Sequence, residues 1–281
     1  MAAELKTKLR CWSWKTINGK MCNFGKTLIY IDMEEFKKNG LSFVEKTADK
    51  EDEYFNVAKE LIENLFFDIS KLCTKYCNDT FCDLPYTYRE RMLDSVLLPV
   101  LSKLCNSMVM VEVPASRHCS NRRFNVEESS GRIDYWCIYK NYSFVIELKH
   151  SYDCFITNKT RQRTIVDRWI KMNEQLDSVK DELKDYQEST KGIVRLGLHF
   201  ITSYSDKNPS KELMVDFKNS IPDTFERLPK DLSKRFPSLR PDIIICWKIP
   251  KNIVFEYNQT FPGLWAMTKI YPPIRHKGII K

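Results

Sequence analysis

Apolar residues recur along the chain with two different periods, and the changes between them outline its elements. Tyr54, Val57, Ala58, Leu61, Ile62, Leu65, Phe66, Ile69, Leu72, Cys73 and Tyr76 fall three and four apart. That spacing predicts an amphipathic helix of about six turns, broken by Asn78 to Pro85. Met92, Val96, Leu97, Val100, Leu101 and Leu104 predict a second helix over Tyr86–Cys105, with Pro99 as a kink. Short apolar runs then predict strands over Met108–Val113, Ile133–Tyr139 and Tyr142–Leu148, with a polar, basic loop over Arg117–Ser130 and a turn at Asn141. Ile165, Trp169, Met172, Leu176, Val179, Leu183 and Tyr186 mark a long helix, Arg161–Tyr186, packed along a seam. A strand over Ile193–Thr202 follows, and Ile243–Lys248, Ile253–Tyr257 and Leu264–Tyr271 add three more. Upstream, Leu9–Trp14 and Lys26–Ile31 read as strands around the hairpin signal Ile17-Asn18-Gly19-Lys20. The expected class is α/β (α+β), with a hairpin-plus-helix extension over 1–84 and a core over 85–281.

Charge adds a partner to this picture. The net charge is +8, and it is uneven. Residues 151–281 carry 23 basic against 16 acidic side chains, and 227–281 carry 11 against 3. Residues 32–68 carry 5 basic against 11 acidic. A basic half points to a polyanion, most often nucleic acid. No apolar run is long enough to span a membrane, and Met1–Arg10 is polar without a signal core. The expectation is an intracellular protein of the cytoplasm, nucleoid or nucleus, neither secreted nor bound to membrane. The 10 cysteines then read as reduced and structural. Cys73, Cys77 and Cys82, with His118 and Cys119, contain no Cys-x-x-Cys pair for zinc or iron–sulfur.

The chemistry-bearing segment is Gly131-Arg132-Ile133-Asp134, then Glu147-Leu148-Lys149 on the next strand. A hairpin brings Asp134 and Glu147 together. Strand alternation puts Glu147 and Lys149 on one face and Leu148 on the other. Two carboxylates and an amine form an oxygen site suited to Mg²⁺ or Mn²⁺, with the ammonium poised to orient water or to stabilise a charged transition state. Against this, Glu147 and Lys149 could be a solvated ion pair, and Asp134 a turn cap. Arg117, Arg122, Arg123 and Arg132 precede the site, and Lys159, Arg161, Arg163, Arg168 and Lys171 open the following helix. Cations at a helix start oppose the macrodipole, so a phosphate there would favour them.

These residues, with the order helix, three strands, helix, strand, resemble the PD-(D/E)XK nuclease superfamily over about 120 residues. The resemblance implies a restriction-endonuclease-like core, a central mixed sheet flanked by helices. It implies a metal-dependent, endonucleolytic phosphodiesterase acting on nucleic acid, DNA favoured over RNA. Catalytic roles fall on Asp134, Glu147, Lys149 and Glu90; metal ligation falls on Glu90, Asp134, Glu147 and the Leu148 carbonyl. Ile133 stands where the motif has proline, and Val179 where an exonuclease branch has tyrosine after Gln175. The alternative is an inactive nucleic-acid-binding or protein-interaction module on the same fold. Residues 1–84 are a candidate surface for a partner or a second copy.

Overall fold

A computed structural model describes residues 42–47, 52–78, 84–119, 127–154, 162–180, 183, 190–205, 232, 236–248 and 260–274. Among them three α-helices run over Glu53–Asn78 (α1), Glu90–Leu104 (α2) and Gln162–Ser178 (α3). Strands run over Ser42–Thr47 (β1), Val109–Cys119 (β2), Glu127–Tyr139 (β3), Tyr142–Cys154 (β4), Ile193–Ser205 (β5), Ile243–Lys248 (β6) and Thr260–Ile270 (β7). They form one mixed sheet in the order β1-β6-β7-β5-β4-β3-β2. β4 and β5 are parallel, and every other neighbouring pair is antiparallel.

The parallel pair lies at the centre, and burial follows from that. All 13 residues of β5 are buried, and most of β4. β5 is covered on both faces, and its apolar residues are interrupted at Arg195, Gly197 and His199, which share one face. One face packs against α1 and α2 through Phe55, Leu61, Leu65, Leu93 and Leu97 against Phe144, Ile146, Leu196 and Phe200. The other face packs against α3 through Ile165, Trp169 and Met172, and further along through Leu176. Gly197 on β5 lets α3 come close, because a Cβ there would lie 2.5 Å from Met172 Cε. Arg195, also buried, reaches the last turn of α3, donating from Nη1 to the Leu176 carbonyl at 2.9 Å and to Asp177 at 2.7 Å. A cation there complements the carbonyl end of the helix.

Helix α1, placed by sequence in the extension, shares one core with α2 and the sheet. Its polar side is tied to the β3–β4 turn by Glu60–Lys140 at 2.6 Å, to α2 by Asp68–Lys103 at 2.8 Å, and to the segment before β5 by a Glu53–Lys191 pair. The sequence-predicted hairpin near Asn18 and the strand over Ile253–Tyr257 lie outside the described residues. At both ends of the loop expected over Arg117–Ser130 the chain is ladder instead, with β2 and β3 paired out to Cys119↔Glu127; residues 120–126 lie outside the described residues. Backbone hydrogen bonds carry that outer pairing, so apolar side chains are not needed to signal it. Lys140 and Asn141 close the β3–β4 hairpin with φ of 46° and 64°, the mirror-image turn that matches strand twist. α2 stays helical through Pro99. Val179 and Leu183 continue the buried stripe of α3 past its last helical residue.

Candidate active site

The site is built where two strands part. Pairing of β3 with β4 runs from Tyr139↔Tyr142 to Tyr135↔Ile146 and stops there. On its other side β3 stays paired with β2 except at Asp134 and Glu112, the latter in left-handed backbone with φ 53°. Beyond Ile146, β4 keeps β5 as its partner but has lost β3. A backbone N–H left without its ladder partner needs another acceptor. Asp134 Oδ2 accepts from the Leu148 N–H at 2.6 Å, and Glu90 Oε2 from the His150 N–H at 2.9 Å. Two carboxylates, one from β3 and one from the first turn of α2, thus fill the gap the departing strand leaves. Bonds to ionised acceptors are about twice as strong as neutral ones, so they also fix both side chains.

Glu147 and Lys149 come together as alternation predicts. Lys149 Nζ lies 2.8 Å from Glu147 Oε1 and 2.8 Å from the Leu148 carbonyl. The side chains are only 14% and 4% exposed for Lys149 and Glu147, which excludes the solvated ion pair. Burial, and then the Glu147 charge, push the Asp134 carboxyl up to about 7, against the opposing pull of the Leu148 N–H and Lys149; the Glu90 charge adds to the rise. A desolvated carboxyl among others of its own sign is the environment that a cation relieves. The turn-cap reading of Asp134 does not describe what it does here.

A cleft of ≈ 290 Å³ opens on Glu90 and Asp134, lined also by Arg91, Asp94, Glu112 and Leu148, with Leu98, Val111 and Tyr135 as its apolar wall; Glu147 and Lys149 do not line it. Its carboxylates are individually engaged: Asp94 accepts from the Tyr135 hydroxyl, and Glu112 pairs with Arg132 at 3.1 Å. Burial raises the Tyr135 hydroxyl, and Asp94 adds to it, so Tyr135 stays a donor.

The basic residues separate into distinct groups. Arg122, Arg123, Lys159 and Arg161 lie outside the described residues, as does the side chain of Arg117. Arg132 is exposed on β3 and engaged with Glu112. Arg163 is exposed and pairs along its own helix with Asp167 at 3.7 Å, while Lys171 is exposed on α3. Arg168 is exposed on α3; burial pushes His150 down to about 4 and the Arg168 charge adds to this. His199, buried across from Lys149 on β5, is likewise held neutral by burial and by His150, Arg168 and Lys149. His150 bonds Thr202 Oγ1 through Nε2 at 2.8 Å, so its ring is structural and only its backbone N–H enters the site. Sequence reasoning passed over Arg89 and Arg91. Both flank Glu90 at the start of α2, where cations oppose the helix dipole, and that is the signal that could have found them.

The donor set fits a hard divalent cation in type: carboxylate oxygens from Glu90, Asp134 and Glu147 and the Leu148 carbonyl. Among the described residues no three His, Cys, Asp or Glu side chains are drawn into a metal-binding cluster. The reason is visible in the hydrogen bonds: Asp134 and Glu90 are each turned to a β4 N–H, and Glu147 to the Lys149 ammonium. That ammonium lies between two oxygens of this donor set. The described cysteines Cys73, Cys105, Cys137, Cys154 and Cys246 are buried and form no disulfide. Cys82 and the side chains of Cys77, His118 and Cys119 are outside the described residues. Among the described residues no helix is long and apolar enough to cross a membrane. No family model, curated protein or solved structure matches the chain.

Proposed function

We propose that this protein is a metal-dependent nuclease with a restriction-endonuclease-like core, cleaving phosphodiester bonds within nucleic acid, DNA ahead of RNA. The observation that carries this reading is the gap beside β4, where Asp134 and Glu90 replace the departed strand next to the buried Glu147–Lys149 pair. Asp134, Glu147 and the Leu148 carbonyl would hold Mg²⁺ or Mn²⁺, with Glu90 at a second ion or a metal-bound water. When bound, the ion supplies charge stabilisation at a phosphoryl oxygen and acidifies a water.

The chain's own groups do the rest. Lys149 brings an ammonium to the reacting phosphate, where it orients the attacking water or offsets developing charge. Asp134 and Glu90 stay fixed through Leu148 and His150, so the carboxylates need little reorganisation. Arg91 in the cleft wall and Arg168 beyond β4 offer guanidinium groups for flanking phosphates. The test is Mg²⁺- or Mn²⁺-dependent cleavage of a panel of DNA and RNA substrates by the wild type and by Lys149→Ala. Loss of cleavage in the variant is expected, and equal cleavage by both sinks the assignment.

One observation favours a second reading, an inactive binding module. Lys149 already neutralises Glu147 and occupies the Leu148 carbonyl, so the pair is satisfied without a metal. Calorimetric titration with Mn²⁺ separates the two, since an inactive module takes up no ion that depends on Asp134.

A further inference from the structure

The Lys149 ammonium has the coordination of a bound cation. It is nearly buried, and it sits 2.8 Å from a carboxylate oxygen of Glu147 and 2.8 Å from the Leu148 carbonyl. Those two oxygens belong to the set that would hold a divalent ion. An ammonium and a metal ion cannot share one oxygen pair at contact distance, because two cations a few ångströms apart in a poorly solvated site repel strongly. The backbone geometry does not compel the ammonium to be there, since the lysine stem is flexible and carries three donors that can turn elsewhere.

We infer that Lys149 is the resting occupant of the metal position and that a divalent ion enters by displacing its ammonium from the Glu147 and Leu148 oxygens. The inference rests on the nuclease reading and adds an order of events to it. Before the ion arrives, Lys149 pairs with Glu147 and offsets part of the repulsion among the buried carboxylates. When the ion takes the Glu147 and Leu148 oxygens, the freed ammonium moves out to where a substrate phosphate would lie. Loading the ion and aiming the lysine are then one event, and a site without metal has its lysine withdrawn.

Two measurements on the full-length protein without nucleic acid test this. In the first, Mn²⁺ affinity is read by electron paramagnetic resonance for wild type, Lys149→Met and Arg91→Met. Removing the competitor is expected to tighten Mn²⁺ about tenfold or more, whereas Arg91→Met, which removes a charge from the cleft wall only, changes it less than about threefold. Equal affinity in wild type and Lys149→Met overturns the inference and leaves the nuclease reading intact. Equal tightening by both substitutions also overturns it, because a general field then explains the effect. No Mn²⁺ binding in any of the three overturns the inference and the nuclease reading together.

The second measurement uses only the wild type, so it does not depend on the variant folding. Labelling of Lys149 by a small amine-reactive ester is followed by mass spectrometry with and without Mn²⁺. Labelling is expected to rise several-fold with the ion, as the amine leaves its buried oxygen pair. Unchanged or reduced labelling at saturating Mn²⁺ overturns the displacement.

Discussion

Replacing Asp134 by Asn should stabilise the metal-free protein, and by an amount that grows with pH. The carboxyl is pushed from 3.8 up to about 7 by burial and by Glu147. Between those values the folded chain holds a proton that the unfolded chain has lost. Stability therefore falls as pH rises through this window, by about 1.4 kcal/mol per pH unit, and levels off above about pH 7. The full span corresponds to about 4 kcal/mol, and since Asp134 keeps some contact with water, roughly 2–4 kcal/mol is the expected range. Asparagine keeps an oxygen for the Leu148 N–H and carries no charge to desolvate. Wild type and Asp134→Asn should match near pH 4, diverge up to pH 7, and differ by roughly 2–4 kcal/mol at pH 8. Urea unfolding followed by circular dichroism at intervals from pH 4 to 8, in chelator, measures this. Parallel stability curves, or a less stable variant at pH 8, would refute the account of Asp134 as a strained, desolvated acid. Adding Mn²⁺ at pH 8 should raise the wild-type midpoint and leave that of Asp134→Asn almost unmoved.

Further outcomes follow from other contacts. Lys149→Met removes the ammonium from a Glu147 carboxylate that is 4% exposed, which should cost about 3 kcal/mol of stability in chelator and be recovered in part by Mn²⁺. Gly197→Val drives a side chain into Met172 and Leu176 and should cost about 1–3 kcal/mol by thermal unfolding, with the loss concentrated in the α3 contact. Arg195→Ala removes two hydrogen bonds at the end of α3 and a ring contact to Tyr271, and should cost about 2–4 kcal/mol in urea. Nucleic-acid binding, measured by fluorescence anisotropy without metal, should weaken linearly in log salt, and Arg168→Ala should flatten that slope by about one.

Much of this architecture can be read from the residues because buried faces leave periodic traces. The stripes of α1, α2 and α3 and the runs of β3 to β6 mark elements whose apolar sides are those now packed. The pairing of Glu147 with Lys149 follows from strand alternation alone. Other features leave no such trace. That β7 inserts between β5 and β6, and that β1 pairs with β6 at the sheet edge, depends on contacts between segments far apart in sequence. Where β3 parts from β4, Asp134 accepts from the Leu148 N–H, and the residue type at 134 alone does not announce that. The outer β2–β3 ladder is polar, so it reads as a loop until its register is seen. Arg91 was visible beside Glu90, but only the cleft shows that it lines the same space.

The turn at Lys140 and Asn141 has a reach beyond its own size. It fixes which residue of β4 stands opposite which residue of β3, and successive strand residues face opposite ways. One residue inserted there would rotate the charged pair into the apolar layer beneath α1 and bring Ile146 and Leu148 to the place of the acids. The same insertion in the outer β2–β3 hairpin, beyond Cys119, would disturb neither. The length of this small turn thus acts as a ruler for chemistry performed farther along the strand, and indels at this hairpin should be silenced by selection while those at the outer one accumulate.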